Sequence, residues 1–244
     1  MDKIKLGVLV GGTSIEREVS KKSCENLLAN LDENKYDITV YHLPADGNTE
    51  WAKNIISNPP QIVLSALHGG NGENGSIQGF LHCLNIPYIG SKVLSSAICM
   101  NKAMAKTVMK ANHIQIPDHV FVMRGVDFSQ YEESIKLMGF PLIVKPNRGG
   151  SSIGVIVARN MEDIHYGIKN IMENYDDDVL IEKFIDGKEI NCCVLQGENG
   201  PEAMAVLDVK KAGSVFVYDD KYHIDEYSSD ITSLPDFMQD MIKS

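Results

Sequence analysis

Residues 6–20, LGVLVGGTSIEREVS, carry the first clear indication of the fold. They begin with an apolar, partly β-branched run, Leu6–Val10, which is typical of a buried β-strand. Two glycines follow directly, and they allow the backbone to turn tightly and to approach a ligand closely. A helical pattern then extends from Val19 to Leu31, with apolar residues at helical spacing. This order predicts a ligand-binding loop at the carboxyl end of a strand in a parallel sheet.

Strands and helices continue to alternate through the first half of the chain. The further elements predicted there are strands at Ile38–Leu43, Ile62–Leu67 and Pro87–Ile89, and a short helix at Ile77–Leu84. Alternation with short polar links predicts an α/β fold in which helices cover both faces of a parallel sheet.

After residue 100 the pattern changes to α+β, and we place domain boundaries near residues 98 and 186. The elements predicted there are a helix containing Met104, Val108 and Met109, a strand at His119–Met123, a helix near Tyr131–Met138, strands at Pro141–Lys145, Val179–Lys183, Glu189–Leu195, Ala203–Val209 and Ser214–Val217, and a final helix beginning at Pro235. The apolar face of that final helix has nothing after it to cover it, which suggests a truncated chain.

Composition excludes several classes of protein. The chain has 244 residues with a formal net charge of −10, which argues against a general nucleic-acid binder. No apolar run approaches the ~18 residues of a membrane span, and the first residues lack a signal peptide's apolar core. The five cysteines are odd in number and lack C-x-x-C spacing, so a reducing cytoplasm is expected rather than a disulfide framework or zinc site.

Two glycine-rich loops of the first half are candidates for ligand contact. In the first, Thr13 and Glu16 have capping-box spacing, so Glu16 either caps the helix or faces a ligand. In the second, HGGNGENG at residues 68–75, His68 is either a core histidine or a ligand contact. This loop formally matches a dinucleotide fingerprint, but no acidic residue follows before position 118. An NAD site is therefore excluded.

The third loop, from Lys145 to Gly154, predicts a phosphate site. Successive backbone N–H groups of residues 149–152 can form a concave donor surface for phosphate oxygens, and Lys145 adds a positive charge. The alternative is a flexible Gly/Ser hairpin. No P-loop motif occurs in the chain. The strand Val179–Lys183 could offer backbone groups to an adenine and a carboxylate to a ribose, or be a solvated strand end. The polar aromatic cluster Tyr218–Tyr222 has the composition of a substrate lid.

Together these segments resemble the D-alanine–D-alanine ligase family of the ATP-grasp superfamily. The matching motifs occur in family order from residue 4 to about 222, and they are GGTSxEREVS at 11–20, ALHG at 66–69, GENGxIQG at 72–79, IPYxGS at 86–91, Met100 with Lys102, FP at 140–141, KP at 145–146, GSSxG at 150–154, EKFIxGxE at 182–189, and KY at 221–222. The resemblance implies an N-terminal Rossmann-like substrate domain (1–98), an ATP-grasp small subdomain (99–186) and an incomplete large subdomain (187–244).

The resemblance also implies the chemistry: ATP-dependent joining of two D-alanines through an acyl phosphate, for peptidoglycan precursors, by a cytoplasmic homodimer. The site residues it implies are Glu16, Ser151 and Tyr222 as the catalytic triad, His68 and Lys221 beside the substrates, Lys102, Lys145 and Ser152 at the phosphates, Glu182 and Lys183 at the adenine, and Glu189 at the ribose. No metal ligand is assigned, because the family's Mg²⁺ (or Mn²⁺) ligands and acyl-phosphate arginine are expected in an absent C-terminal segment. The 244-residue chain alone is therefore expected to be inactive.

Three further departures accompany the resemblance. Gly149 stands where the family has Glu, Asn101 stands where it has Asp, and the lid sequence at residues 218–222 is shorter than the family's. The alternatives left open are a D-alanine–D-lactate or D-alanine–D-serine ligase and a non-catalytic nucleotide-binding remnant.

Overall fold

The computed structural model describes residues 2–209 and 229–243. The described residues form two compact units. The first runs to Ile116 and includes Arg148–Gly150, and the second comprises Pro117–Asn147 and the described residues from Ser151 onward. The finer division at residues 98 and 186 stays a prediction. None of the helices in the described part of the chain has the length and apolar character needed to cross a membrane.

The first unit contains a parallel three-stranded sheet in the order β2-β1-β3. Its elements are β1 (Ile4–Gly11), α1 (Arg17–Asn30), β2 (Tyr36–Leu43), α2 (Glu50–Ser57), β3 (Ile62–Ser65), α3 (Gly70–Glu73), α4 (Ser76–Cys83), α5 (Val93–Met100) and α6 (Lys102–Ala111). The strand predicted at Pro87–Ile89 is reduced to one parallel bridge between Tyr88 and Val63. It ends there because Gly90 follows with φ at 114°.

Apolar side chains cover both faces of this sheet. On one face, Val8 of β1 packs with Cys24 of α1 and with Ala66. On the other, Leu9 packs in a cluster with Ile55 of α2 and with Leu81 of α4. Successive side chains of a strand point to opposite faces, so one buried strand serves two cores. The predicted parallel sheet with two covered faces is confirmed.

The second unit contains two antiparallel sheets, in the orders β4-β7-β5-β6 and β10-β9-β8. Its elements are β4 (His119–Val122), α7 (Glu132–Met138), β5 (Leu142–Pro146), β6 (Ile156–Ala158), α8 (Met161–Asn174), β7 (Val179–Lys183), β8 (Glu189–Gly197), β9 (Gly200–Val209), β10 (Ser229–Ile231) and α9 (Asp236–Lys243), with a 3-10 turn at Phe128–Tyr131. The strand predicted at Ser214–Val217 lies outside the described residues.

One face of the four-stranded sheet forms the core of the second unit. Val144 of β5 and Ile181 of β7 pack there against Ile135 of α7 and Ile164 of α8, and all four are fully buried. The helix α8 was not predicted from the sequence. On β5 and β7 the side chains that alternate with the core residues point to the opposite face of the sheet. These include Lys145 and Glu182.

Candidate functional site

Glu16 ends the loop that follows β1 and immediately precedes α1. Its side chain is buried, although a carboxylate usually stays in water. The side chain makes no capping hydrogen bond to α1, whereas the backbone N–H of Glu16 donates to Ser14 Oγ at 3.1 Å. The geometry therefore favours a carboxylate directed at something other than its own helix.

The Glu16 carboxylate lies against the second glycine loop. Gly69 has φ at 63°, and a Cβ added there would overlap Glu16 Oε2 and lie 2.7 Å from Ser14 Oγ. The backbone conformation favours glycine here, and a side chain would require the Glu16 carboxylate to move. The two glycine loops thus meet at Glu16 and Gly69, as their placement after neighbouring parallel strands predicts.

His68 precedes that glycine and has polar contacts at both ring nitrogens. Its Nε2 is 2.8 Å from Ser23 Oγ on α1, and its Nδ1 is 3.8 Å from Glu73 Oε1 on α3. Ser23 was not predicted from the sequence. Its spacing could have indicated it, because Ser23 lies seven residues after Glu16 and so falls on the same side of α1 two turns later.

A cleft of about 130 Å³ opens at the carboxyl ends of the three parallel strands. Its lining comes from both glycine loops and the segment after β2, and includes Thr13, Pro44, Asn48, Trp51, His68 and Asn71. Pockets for drug-sized ligands measure roughly 300–1,000 Å³. The cleft is smaller than these and suits a ligand the size of an amino acid.

Lys102 is the first residue of α6, and its Nζ donates to the carbonyl of Gly149 at 2.8 Å. The preceding residue, Asn101, caps α6 by accepting a hydrogen bond from the N–H of Met104 at 3.1 Å. Asparagine and aspartate cap helices about equally well. The departure from the family's aspartate therefore leaves the start of this helix intact.

The third loop has left-handed backbone at several positions. Gly149 and Gly154 have φ at 93° and 72°, and the serines Ser151 and Ser152 have φ at 52° and 56°. Positive φ is uncommon outside glycine, and such backbone is often found at ligand-binding sites. This conformation agrees with a loop shaped for a ligand rather than a plain hairpin.

Lys145 and Glu182 form an ion pair on the face of the four-stranded sheet opposite its core. Only 21% and 11% of their side chains are exposed. In the register of β5 and β7, Glu182 is opposite Ile143, and Lys145 is opposite Leu180. On its other side Glu182 is opposite His119 of β4, so the charge pair lies among apolar side chains and one histidine. An apolar surface with a cation and a carboxylate fits an adenine ring and its attached phosphates.

Lys183 points to the other side of β7. Its Nζ donates to the carbonyls of Met138 at 2.9 Å and Gly139 at 3.0 Å, at the carboxyl end of α7. A cation there stabilises the helix end. The role of Lys183 beside an adenine stays a prediction. The role of Glu189 at the ribose also stays a prediction; Glu189 is the first residue of β8, and its side chain is exposed.

Two predicted site residues, Lys221 and Tyr222, lie outside the described residues. Within residues 2–209 and 229–243, no group of three or more His, Cys, Asp or Glu side chains is arranged to hold a metal ion. The described candidate residues therefore fall into two separate groups, the region of Glu16 and His68 in the first unit and the Lys145–Glu182 face in the second.

Comparison with protein families supports the resemblance found in the sequence. The model of the D-ala D-ala ligase C-terminus matches residues 108–242, and that of the D-ala D-ala ligase N-terminus matches residues 49–91. A D-alanine–D-alanine ligase of Bacillus anthracis is 37% identical over 233 residues, which are 95% of this chain and 73% of that protein. A D-alanine–D-alanine ligase of Thermoanaerobacter pseudethanolicus is 34% identical over a region that covers 91% of this chain and 72% of that protein.

Solved structures give the same result. The crystal structure of the Bacillus anthracis D-alanine–D-alanine ligase complexed with ATP matches with a TM-score of 0.81 and 32% identity, over 99% of this chain and 75% of that one. A D-Ala:D-Ser ligase from Enterococcus faecalis matches with a TM-score of 0.80 and 26% identity, over 99% and 80%. The predicted fold class, a parallel-sheet domain followed by an ATP-grasp region, is confirmed.

Proposed function

Because the chain belongs to the D-alanine–D-alanine ligase family, we propose that it joins two D-alanines with cleavage of ATP to ADP and phosphate. The carboxylate of the first D-alanine attacks the γ-phosphate, ADP leaves, and an acyl phosphate results. The amine of the second D-alanine then attacks the acyl carbon, and phosphate leaves with the formation of the peptide bond. The product is a peptidoglycan precursor.

The observation that carries this proposal is the contact of the Glu16 carboxylate with Gly69, a residue that lines a cleft of amino-acid size together with His68. We assign Glu16 to the ammonium of the first D-alanine, because a buried carboxylate and an ammonium form a strong charge-assisted hydrogen bond. His68 lies beside the same substrate. Ser151 and Tyr222 complete the proposed catalytic triad, and Lys221 contacts the substrates.

The nucleotide is assigned to the second set of residues. Lys102, Lys145 and Ser152 would hold the phosphates, Glu182 and Lys183 the adenine, and Glu189 the ribose. Phosphoryl transfer depends mainly on positioning and charge neutralisation, which lysines and a donor-rich loop supply. The apolar surface around the Lys145–Glu182 pair supports the assignment of the base to this side of the sheet.

Mg²⁺ is proposed as the cofactor that accompanies ATP, since hard divalent cations bind triphosphates in such reactions. The described residues do not fit a metal site of their own, because no cluster of three metal-ligating side chains occurs among them. No step is therefore assigned to the ion.

We also propose that the protein is a homodimer located in the cytoplasm.

The D-Ala:D-Ser ligase among the structural neighbours supports a second candidate, in which the second substrate is D-serine. The two candidates share the first-substrate and nucleotide sites. They differ in the choice of the second substrate, which rests partly on the lid near Tyr222.

Calorimetric titration of D-alanine into the ADP-saturated protein tests the proposal. We expect saturable binding of D-alanine and much weaker binding of L-alanine, since a site built to hold both the ammonium and carboxylate of one enantiomer misplaces those of the other. Equal binding of the two enantiomers, or no saturable binding of either, would refute it. A further titration of D-serine into the protein saturated with ADP and D-alanine separates the two candidates, because only the second candidate uses D-serine as its second substrate.

A further inference from the structure

Ser23 has no role in the function proposed above, yet it makes a 2.8 Å hydrogen bond to His68. The bond joins α1 to the loop after β3, across 45 positions of the chain. It is a short contact between partly buried groups, so it constrains the ring more than a solvent-exposed contact would.

The second contact of the ring defines the direction of this bond. Glu73 Oε1 lies 3.8 Å from His68 Nδ1, beyond hydrogen-bond distance but close enough for an electrostatic interaction. With the proton on Nε2, the lone pair of Nδ1 would face the carboxylate, which is unfavourable. With the proton on Nδ1, the N–H dipole points to the carboxylate, and Nε2 accepts a hydrogen bond from the Ser23 hydroxyl.

We propose that Ser23 is a positioning residue that holds the His68 ring in the Nδ1-protonated tautomer and in one orientation at the wall of the first-substrate cleft. The orientation of an imidazole depends on the hydrogen bond made by its other nitrogen. A ring fixed in this way presents a constant surface to the ligand in the cleft that it lines. This inference rests on the proposed function for the identity of that ligand.

The positions of the three groups on the chain support this arrangement. Ser23 lies on α1, which starts directly after Glu16, and Glu73 ends α3, which starts directly after Gly69. α1, which follows the first glycine loop, and α3, which lies within the second, therefore each supply one contact to His68. A change in the relative position of the loops would alter the ring's surroundings.

Nitrogen NMR of the protein labelled with ¹⁵N-histidine tests the proposal. Spectra are recorded in alkaline buffer and assigned with a His68→Gln variant. We expect Nδ1 of His68 to be protonated and Nε2 to be a non-protonated hydrogen-bond acceptor. In Ser23→Ala the acceptor signature of Nε2 should disappear, and in Ser23→Thr, which keeps the hydroxyl, it should remain. A protonated Nε2 in the native protein would overturn the proposal.

The same variants are then titrated with D-alanine. Loss of one neutral hydrogen bond to the ring should weaken D-alanine binding roughly 2–10-fold in Ser23→Ala, with nucleotide affinity and melting temperature close to native. Ser23→Thr should bind like the native protein. Ser95→Ala removes an exposed hydroxyl on α5 that bonds only a backbone carbonyl, and serves as the matched control.

The two readouts distinguish failure of the inference from failure of the proposed function. Native His68 signals as predicted, together with no D-alanine binding by the native protein, would leave the positioning role intact and refute the function. D-Alanine binding that is the same in the native protein and in Ser23→Ala would refute the positioning role and leave the function intact.

Discussion

Lys145 on β5 and Glu182 on β7 form a largely buried ion pair on the sheet face that does not pack against α8. Removing one partner of such a pair leaves the other charge buried and uncompensated. The pair therefore links two properties of the protein. One is its stability, and the other is the nucleotide affinity that we assign to this face.

Replacing Lys145 with alanine should weaken ADP and ATP binding together. Loss of a charge-assisted contact to phosphate should reduce both affinities roughly 10–100-fold. Calorimetric titration of the variant measures this. Lys136→Ala is the matched control, because Lys136 pairs with Glu132 on the exposed surface of the same unit and should leave both affinities unchanged. A Lys145→Ala protein with native affinities would remove this lysine from the site.

Replacing Glu16 with glutamine should weaken D-alanine binding. The lost carboxylate–ammonium bond should lower the affinity roughly 10–100-fold, and nucleotide affinity should not change. The control is Glu18→Gln, since Glu18 lies in the first turn of α1, is exposed, and pairs with Lys21 of the same helix. If D-alanine binds Glu16→Gln as tightly as the native protein, Glu16 has only a structural role.

Replacing Gly69 with alanine should displace the Glu16 carboxylate, because the new methyl group would overlap Glu16 Oε2. We expect a loss of D-alanine binding comparable to that of Glu16→Gln, with nucleotide binding retained. Gly125→Ala controls for backbone strain, since Gly125 also has positive φ, at 80°, but open space around its Cβ position. Unchanged D-alanine binding in Gly69→Ala would contradict the described contact between the two loops.

Replacing Lys183 with methionine should lower thermal stability even without nucleotide. The variant loses two hydrogen bonds to the carboxyl end of α7, and we expect a melting temperature about 2–6 °C lower. Lys136→Met, which removes only an exposed i,i+4 pair, should change it less. A melting temperature unchanged in Lys183→Met would mean that this lysine does not stabilise the helix end.

The sequence predicted the parallel sheet and the strands β5 and β7 because buried strands leave an apolar pattern. It did not lead us to α8, although Ile164, Ile168 and Ile171 have helical spacing and Asn160 caps the helix. Gly167 disfavours a helix in isolation. In the structure a Cβ at Gly167 would lie 2.9 Å from Val144, so the glycine allows α8 to pack closely on β5.

The candidate site was predictable to a different extent in each unit. Glycine loops after parallel strands indicated Glu16 and His68, because the carboxyl ends of such strands meet at one edge. The partners of these residues depend on tertiary packing. Ser23 could have been found from its helical spacing to Glu16, but no local pattern joins Lys183 to carbonyls 44 and 45 positions earlier.

The most direct test of an adenine-nucleotide site in this protein is calorimetric titration of ADP, ATP and GTP, each in the presence of Mg²⁺. We assign adenine to the face of β5 and β7 that carries Lys145 and Glu182. We therefore predict one-to-one binding of ADP and ATP and weaker binding of GTP. Absence of ADP and ATP binding, or GTP binding as tight as that of ATP, would contradict this account.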